Sequence, residues 1–316
     1  MRLHWPTGSL TGKADVEVVD MSPDTAGWDW AGLQILRIRP GEQRVVRTGD
    51  AEVFVLPLAG SLHVAVAHAD RPEVTEAAFD LQGRDSVFTR VTDFGYAGRD
   101  SVLTLTSSVG AEVALPSARC VGRLPARYGP AQDVPVEVRG AGAATRQVTM
   151  FGSAEAWPHA ERLLACELLT PPGNWSSFPP HKHDRSEPCE VVNEEIYYYR
   201  IAGRDQLTPA PEGFGVHRTY TGADHRKAGL PDIDLTVEVH DGDVVLVPHG
   251  YHGPCMASPG YPMYYLNVLA GPGEERSMAF CDDPRYGWLR STWADTPPDP
   301  RVPMTTTRPT PSGGAT

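Results

Sequence analysis

The chain has 316 residues, 41% of them hydrophobic, which is enough for two domains with buried cores and excludes wholesale disorder. Its net charge of -12 excludes a general nucleic-acid binder, because neutralising phosphates takes a basic surface. An anionic ligand would therefore need a local arginine or lysine.

The N-terminus, "MRLHWPTGSLTGK", lacks the apolar run of a signal peptide, and no stretch approaches the roughly 20 apolar residues of a membrane span. A soluble, cytoplasmic protein without membrane or nucleic-acid partners is expected. The five cysteines, Cys120, Cys166, Cys189, Cys255 and Cys281, are odd in number and show no CxxC spacing, so all are expected to be free thiols.

In chain order, "LQILRIRP" (33–40), "EVFVLPLAG" (52–60), "SLHVAVAHA" (61–69) and "SVLTLTSS" (101–108) read as short strands broken by Gly, Pro and Asp. "SAEAWPHAERLLACELL" (153–169) reads as part helix, part strand. "LTVEVHDGDVVLVPHG" (235–250) and "PMYYLNVLAG" (262–271) return to strands. Gly 31 and Pro 30 suit such a strand-and-turn chain, and the spacing indicates barrels or sandwiches rather than βαβ units. "EVFVLPLAGSLHV" and "EIYYYRIAGRDQL" (195–207) share an outline of strand, Ala-Gly, strand, which points to one small barrel built twice. The Gly-, Ala- and Pro-rich stretch 127–148 marks the junction. The expected division is 1–130, 131–295, and a mobile Pro/Thr-rich tail, 296–316.

The chemistry concentrates in the second half. His181 and His183 stand at i and i+2, so on a strand both imidazoles leave from one face. Glutamates follow at 187, 190, 194 and 195, and each could add a carboxylate. Downstream, "HDGDVVLVPHGYHGPC" gives a turn, a buried strand, a Pro–x–Gly turn and then His252, with His249 beside it. Three imidazoles and a carboxylate suit one divalent first-row metal, whether Zn, Mn, Fe, Co or Ni.

These stretches resemble the two cupin motifs, HxH…E and G-x5-P-x-G…H. More closely, "FPPHKHD", "EEIYYYR", "DGDVVLVPHGYH" and "PGYPMYYLNVLAGP" resemble the 5-deoxyglucuronate isomerase family of myo-inositol catabolism, a bicupin family related to 4-deoxy-threo-hexosulose-uronate ketol-isomerases. The likeness continues upstream in "GDAEVFVLPLAGS", "GRDSVF", "ALPSARC" and "VPVEVRGAGAATRQV", leaving only the tail outside. It implies an all-β bicupin of two β-barrel (double-stranded β-helix, or jelly-roll) domains. It also implies a metal in the second barrel and aldose–ketose isomerisation of a deoxy-uronate through an enediolate. Within it the ligands are His181, His183, Glu195 and His252; Glu195 is chosen because the family's glutamate directly precedes the aromatic strand. The gap from His183 to Glu195 is twelve residues and one residue separates Gly250 from His252, so Glu190, Glu194 and His249 remain rivals.

By alternation Tyr197 and Tyr199 share the face of Glu195 and Tyr198 does not. Tyr199 and His249 are the candidates for moving the proton, beside a glutamate the metal does not use. Arg218, with Tyr220 and Tyr197 assisting, is the candidate clamp for the carboxylate of a small sugar acid, with Arg200 and Arg285 as substitutes. Lys182 points away, and Asp243 is a turn residue. The first half carries no ligand set: Glu52 stands alone, His63 and His68 face solvent, and that barrel is structural. A homo-oligomer is left open. Two other functions fit the motifs, a metal-dependent dioxygenase and a sugar-binding bicupin without turnover, since the fold alone does not separate them.

Overall fold

A computed structural model describes residues 1–10, 17–203 and 208–307. Two β-barrels follow one another in the chain. The first is a nine-stranded sheet, rolled around Ala51–His68, which hydrogen-bonds to four neighbours: Arg71–Arg84, Phe94–Ala97, Ser101–Thr106 and Ala111–Arg119. The segments 52–60 and 61–69 are thus one strand, not two. It turns at Gly60, where φ is 79° and a Cβ would stand 2.1 Å from the Gly110 carbonyl oxygen. Only glycine fits so close an approach.

The second barrel faces a seven-stranded sheet against a six-stranded one. The first runs His4–Trp5, Val244–Val247, Glu194–Ile201, Met263–Ala270, Leu164–Thr170, Arg146–Gly152, Val136–Arg139. The other runs Asp234–Val239, Gly215–Tyr220, Tyr251–Ala257, His181–Lys182, Cys281–Asp282, with Trp175–Ser176 also on Tyr251–Ala257. Residues 154–163, part of the mixed helix–strand stretch, form turns and no helix before Leu164–Thr170 begins.

Period-two alternation explains the packing. Tyr197, Tyr199, Val245, Val247, Met263 and Tyr265 point into the second barrel. Their neighbours Ile196, Tyr198, Val244, Leu246, Tyr264 and Leu266 point outward and meet Phe54, Leu56, Phe94 and Tyr96 of the first barrel. The central strands of this sheet are therefore buried on both faces, and the barrels share one aromatic joint. Leu36, Val53, Val55, Val64, Leu103 and Leu105 fill the first barrel's interior, which is apolar.

Polar groups complete the joint. Arg84 pairs with Glu167, both fully buried, and Tyr264 Oη donates to Glu167 at 2.8 Å. Glu52 does not stand alone: its carboxylate accepts from the backbone N–H groups of Glu161, Arg162 and Leu163 and from Tyr96 Oη, at 2.6–2.8 Å. Buried carboxylates persist only where such donors satisfy them.

Three expectations are corrected. The first ten residues belong with the second barrel: His4–Trp5 pairs with Val244–Val245, while Asp243 accepts from Thr7 N at 2.8 Å and faces His4 Nε2 at 2.9 Å. Asp243 is thus an anchor for the N-terminus as well as a turn residue. Residues 296–307, expected as the start of the mobile tail, are largely exposed but are tied to the second barrel by hydrogen bonds. Gln147 accepts from Met304 N and Thr305 N, and Asp299 accepts from Asn174. The remainder of the expected tail, 308–316, lies outside the described residues. Finally, Cys189 and Cys281 form a disulfide with a Cα–Cα distance of 5.3 Å, and only Cys120, Cys166 and Cys255 are free thiols. The two are 92 residues apart, so spacing hid a proximity that the strand pair His181–Lys182 with Cys281–Asp282 creates.

Candidate metal centre

The short strand His181–Lys182 lies beside Tyr251–Ala257 with His181 opposite His252. Glu194–Ile201 approaches from the facing sheet with Glu195 near its start. Ligand atoms of His183, Glu195 and His252 come within 4.8 Å of one another, and all three residues are buried. Glu195 Oε2 is 2.9 Å from His183 Nε2 and 3.1 Å from His252 Nε2. His181 stands beside them, its ring centroid 4.4 Å from that of His252.

The backbone fixes which ring nitrogens are open. His183 Nδ1 lies 3.0 Å from the Asn193 carbonyl oxygen, His252 Nδ1 3.3 Å from that of Gly250, and His181 Nδ1 3.3 Å from that of Pro179. A carbonyl only accepts, so each Nδ1 carries the proton and each neutral ring keeps its Nε2 lone pair. Two such lone pairs then face one carboxylate oxygen, an arrangement that repels unless a cation lies among them. His252 Nε2 is buried with no hydrogen-bond partner among the described residues. This donor set fits a divalent metal ion, with the carbonyls orienting the imidazoles as outer partners do around bound metals.

The same demand for positive charge shows in the titrating groups. Burial opposes ionisation of Glu195, but His252 and His183 outweigh it and hold its carboxyl well below the usual range. Burial also opposes a charged His183, and Glu195 outweighs it, so that imidazole is raised. His181 is pushed well below its ordinary value by burial and by His252, which keeps it neutral.

The rivals go elsewhere. Glu190 pairs with Lys182, on the far side of the strand, and Glu194 accepts from the backbone N–H groups of Asp29, Trp30 and Ala31 at 2.8–2.9 Å. His249 Nε2 meets the Pro231 carbonyl oxygen at 2.9 Å, outside the centre.

Above the centre opens a cavity of about 450 Å³. His181, His183, Glu195 and Tyr197 line it, and its apolar wall includes Leu168, Leu269 and Phe280. Four expected site residues are not at that wall. Tyr199 lies deeper, its hydroxyl 2.6 Å from His217 Nδ1 and 3.3 Å from Cys255 Sγ. Thr219 pairs with His252 across the sheet, so Arg218 and Tyr220 take the opposite, outer face. There Arg218 covers the Tyr220 ring at 4.3 Å and Tyr220 Oη donates to Asp283 at 2.6 Å. His249 is the fourth.

Several residues at the site were not singled out from sequence. Asn267, opposite Tyr197, donates to Glu195 Oε1 and keeps its own Oδ1 buried without a partner among the described residues. It is the one strongly polar residue in "YYLNVLAG", a signal that was there to use. Asp184 accepts from His225 Nε2 and Gly250 N, both at 2.7 Å, and so ties the HxH loop to the turn before His252. Arg139, Arg146 and Arg290 also line the cavity.

The chain is similar to known proteins. The KduI/IolB family matches residues 7–289. Proteins named 5-deoxy-glucuronate isomerase are 38% identical in Geobacillus kaustophilus (strain HTA426), over 86% of this chain and 90% of that one, and 39% identical in Bacillus subtilis (strain 168), over 86% and 92%. An IolB-like protein from Salmonella typhimurium LT2 superposes with a TM-score of 0.78 at 31% identity, covering 92% of this chain and all of that one. Oxalate decarboxylase from Lactobacillus farciminis superposes with a TM-score of 0.63 at 11% identity, covering 92% and 90%, a likeness of fold alone. The family match runs over both barrels, and the chain belongs to the KduI/IolB family.

Proposed function

We propose that this protein is a 5-deoxy-glucuronate isomerase, an intramolecular oxidoreductase of inositol catabolism that interconverts an aldose and a ketose. The observation that carries the reading is the convergence of two imidazole Nε2 atoms on Glu195 beneath a cavity, in a chain whose curated relatives bear that name. We propose that His181, His183, Glu195 and His252 hold one divalent ion. Such an ion would supply Lewis acidity to the carbonyl and hydroxyl oxygens of the substrate.

The chain's own groups do the rest. The three carbonyl contacts to Nδ1 lock the imidazoles before any ligand arrives, so no reorganisation is needed at the moment of reaction. Asn267 holds Glu195 from its other oxygen and leaves its own carbonyl oxygen for a substrate hydroxyl. Tyr197 presents its phenol on the same strand face as Glu195, boxed in by Tyr265 at 5.1 Å and His217 at 4.9 Å. Burial raises that phenol well above its ordinary range, so it acts as a hydrogen-bond donor and proton carrier rather than as a standing anion. Isomerisation removes a proton from the hydroxyl-bearing carbon and returns one to the aldehyde carbon, through an enediolate. The apolar wall around Leu168, Leu269 and Phe280 limits water there.

The test is direct. Metal-loaded protein is mixed with 5-deoxy-glucuronate, and loss of aldehyde and gain of ketone are followed by NMR. The expected result is conversion to 5-dehydro-2-deoxy-gluconate; an aldehyde left intact by fully loaded protein overturns the reading.

A further inference from the structure

The expected carboxylate clamp, Arg218, faces away from the cavity, and its two substitutes are already paired. Arg200 binds Glu112 and Asp241, and Arg285 binds Asp283. The cavity nevertheless has cations of its own.

Arg146 opens the strand Arg146–Gly152, in which Val148 and Met150 alternate with it on the barrel's inner face. The residue is 7% exposed. Its Nη1 donates to the Ala144 carbonyl at 3.2 Å, and its Nε is buried with no hydrogen-bond partner among the described residues. Among the described residues no carboxylate pairs with it. Burial pulls its pKa down to about 10, with Arg139 and Arg290 acting in the same direction and Tyr265 and Asp282 opposing them. It remains a cation at neutral pH.

The other two cavity arginines differ. Arg290 is held by both oxygens of Asp282 at 2.5 and 2.7 Å, and Arg139 Nε donates to Glu137 at 2.7 Å. Arg139 also lies directly across the strand pair from Arg146. Like charges placed opposite each other in a sheet repel, and a buried charge with no carboxylate to pair with is costly; the Trp293 ring, 5.9 Å from the Arg146 guanidinium, offsets only part of that cost. Both costs fall if an anion enters the cavity. The guanidinium offers a planar fork that fits a carboxylate with two parallel hydrogen bonds, where a lysine would offer a point charge.

We propose that Arg146 binds the carboxylate of the sugar acid, with Arg139 adding attraction from across the strand pair. The inference rests on the isomerase reading for the identity of the acid. It adds how the site selects an acid over a neutral sugar of the same shape. Fixing the carboxylate end against Arg146 leaves the aldehyde end to reach the histidine–glutamate centre, since both line one cavity.

The experiment compares 5-deoxy-glucuronate with 5-deoxy-glucose, in which a CH2OH group replaces the carboxylate. Binding to metal-loaded protein is measured by calorimetry, and turnover of both compounds is followed by NMR. Wild type is expected to bind the acid more tightly by on the order of 100-fold, the size of a charge-assisted bidentate pair. Arg146→Gln is expected to lose that preference and keep its affinity for the neutral sugar, which also reports an intact fold. Arg146→Lys, the milder variant, is expected to retain part of it. An unchanged preference in Arg146→Gln, or in Arg146→Lys with the glutamine variant unfolded, overturns the proposal while leaving the isomerase reading in place. Loss of the preference in a protein whose wild type converts neither compound overturns the isomerase reading and leaves the anchor standing.

Discussion

Glu52 offers the sharpest test of how the two barrels hold together. Its Oε1 accepts from Arg162 N at 2.6 Å and Leu163 N at 2.7 Å; its Oε2 accepts from Glu161 N at 2.8 Å and Tyr96 Oη at 2.7 Å. Glu52, Leu163 and Tyr96 are wholly buried, whereas Glu161 and Arg162 are partly open to water. Glu52→Ala therefore strands two donors that water cannot reach. At about 1–3 kcal/mol for each unsatisfied buried group, the loss is about 2–6 kcal/mol. That is a large share of the roughly 5–15 kcal/mol that separates folded from unfolded domains. Glu52→Gln should cost less. Its amide nitrogen can take the Oε2 position, where the Tyr96 hydroxyl can rotate and accept; the Arg162 and Leu163 N–H groups keep their acceptor, and the one buried donor left without one is the Tyr96 O–H, beside the half-open Glu161 N–H. A loss of about 1–2 kcal/mol is expected. Urea unfolding, followed by tryptophan fluorescence with matched slopes, measures both. The reasoning fails if Glu52→Ala lies within about 0.5 kcal/mol of the parent protein, the range of ordinary surface substitutions, or if the glutamine variant is as damaged as the alanine.

Elemental analysis of the purified protein should find about one divalent ion per chain, and His183→Ala or His252→Ala should lose it while the far-ultraviolet spectrum stays that of a β-protein; full occupancy in either variant would displace the centre. Turnover in heavy water should place deuterium on the carbon that was the aldehyde, because the Tyr197 phenol at the centre can carry a proton; fully converted product without deuterium would point to direct hydrogen transfer between the carbons. Thiol titration in denaturant should find three reactive cysteines before reduction and five after it; five without reductant would contradict the Cys189–Cys281 link.

Legibility from sequence tracked the range over which the physics acts. Alternation is local, and it sets Tyr197 and Tyr199 on the face of Glu195 and Tyr198 on the other; in the fold the first face lines the barrel and the second meets the joint. The HxH pair and the histidine after the Pro–x–Gly turn are local too, and His183 and His252 do converge on Glu195. The Arg218 clamp was a matter of which strand face turns inward. Arg218 and Tyr220 share a face, as alternation requires, but only the pairing of Thr219 with His252 shows that their face is the outer one. The disulfide and the tethering of 296–307 depend on contacts across about a hundred residues or more, which composition does not register. Arg139 and Arg146 carry no local signal, because they lie in a Gly- and Ala-rich stretch that reads as a linker. In the fold, that stretch is the hairpin that closes the cavity's edge.

Among the described residues only the second half gathers a candidate metal centre, and the two strands that carry the glutamates show why. Aligned on their Ala-Gly pairs, "EVFVLPLAG" and "EIYYYRIAG" set Glu52 against Glu195. Aligned on the faces of their strands, the partner of Glu52 is Glu194. Glu52 shares its side with Phe54 and Leu56, and Glu194 shares its side with Ile196 and Tyr198; all four of these apolar residues lie in the joint. Each glutamate reaches into the other half and gathers three consecutive backbone N–H groups, residues 161–163 for Glu52 and residues 29–31 for Glu194. The inward position that Glu195 fills in the second barrel is Val53 in the first, facing Leu36, Val55 and Leu103. A shift of one residue along a strand exchanges its faces. The sequence likeness therefore pairs a glutamate that binds the halves together with one at the candidate metal centre. In the first barrel the inward face is apolar throughout this region, so a carboxylate at residue 53 would be buried among aliphatic side chains without imidazole or cation to offset it. The first barrel is committed to packing by its face assignment, and its contribution to the centre is made through Glu194, which fixes the strand on which Glu195 sits.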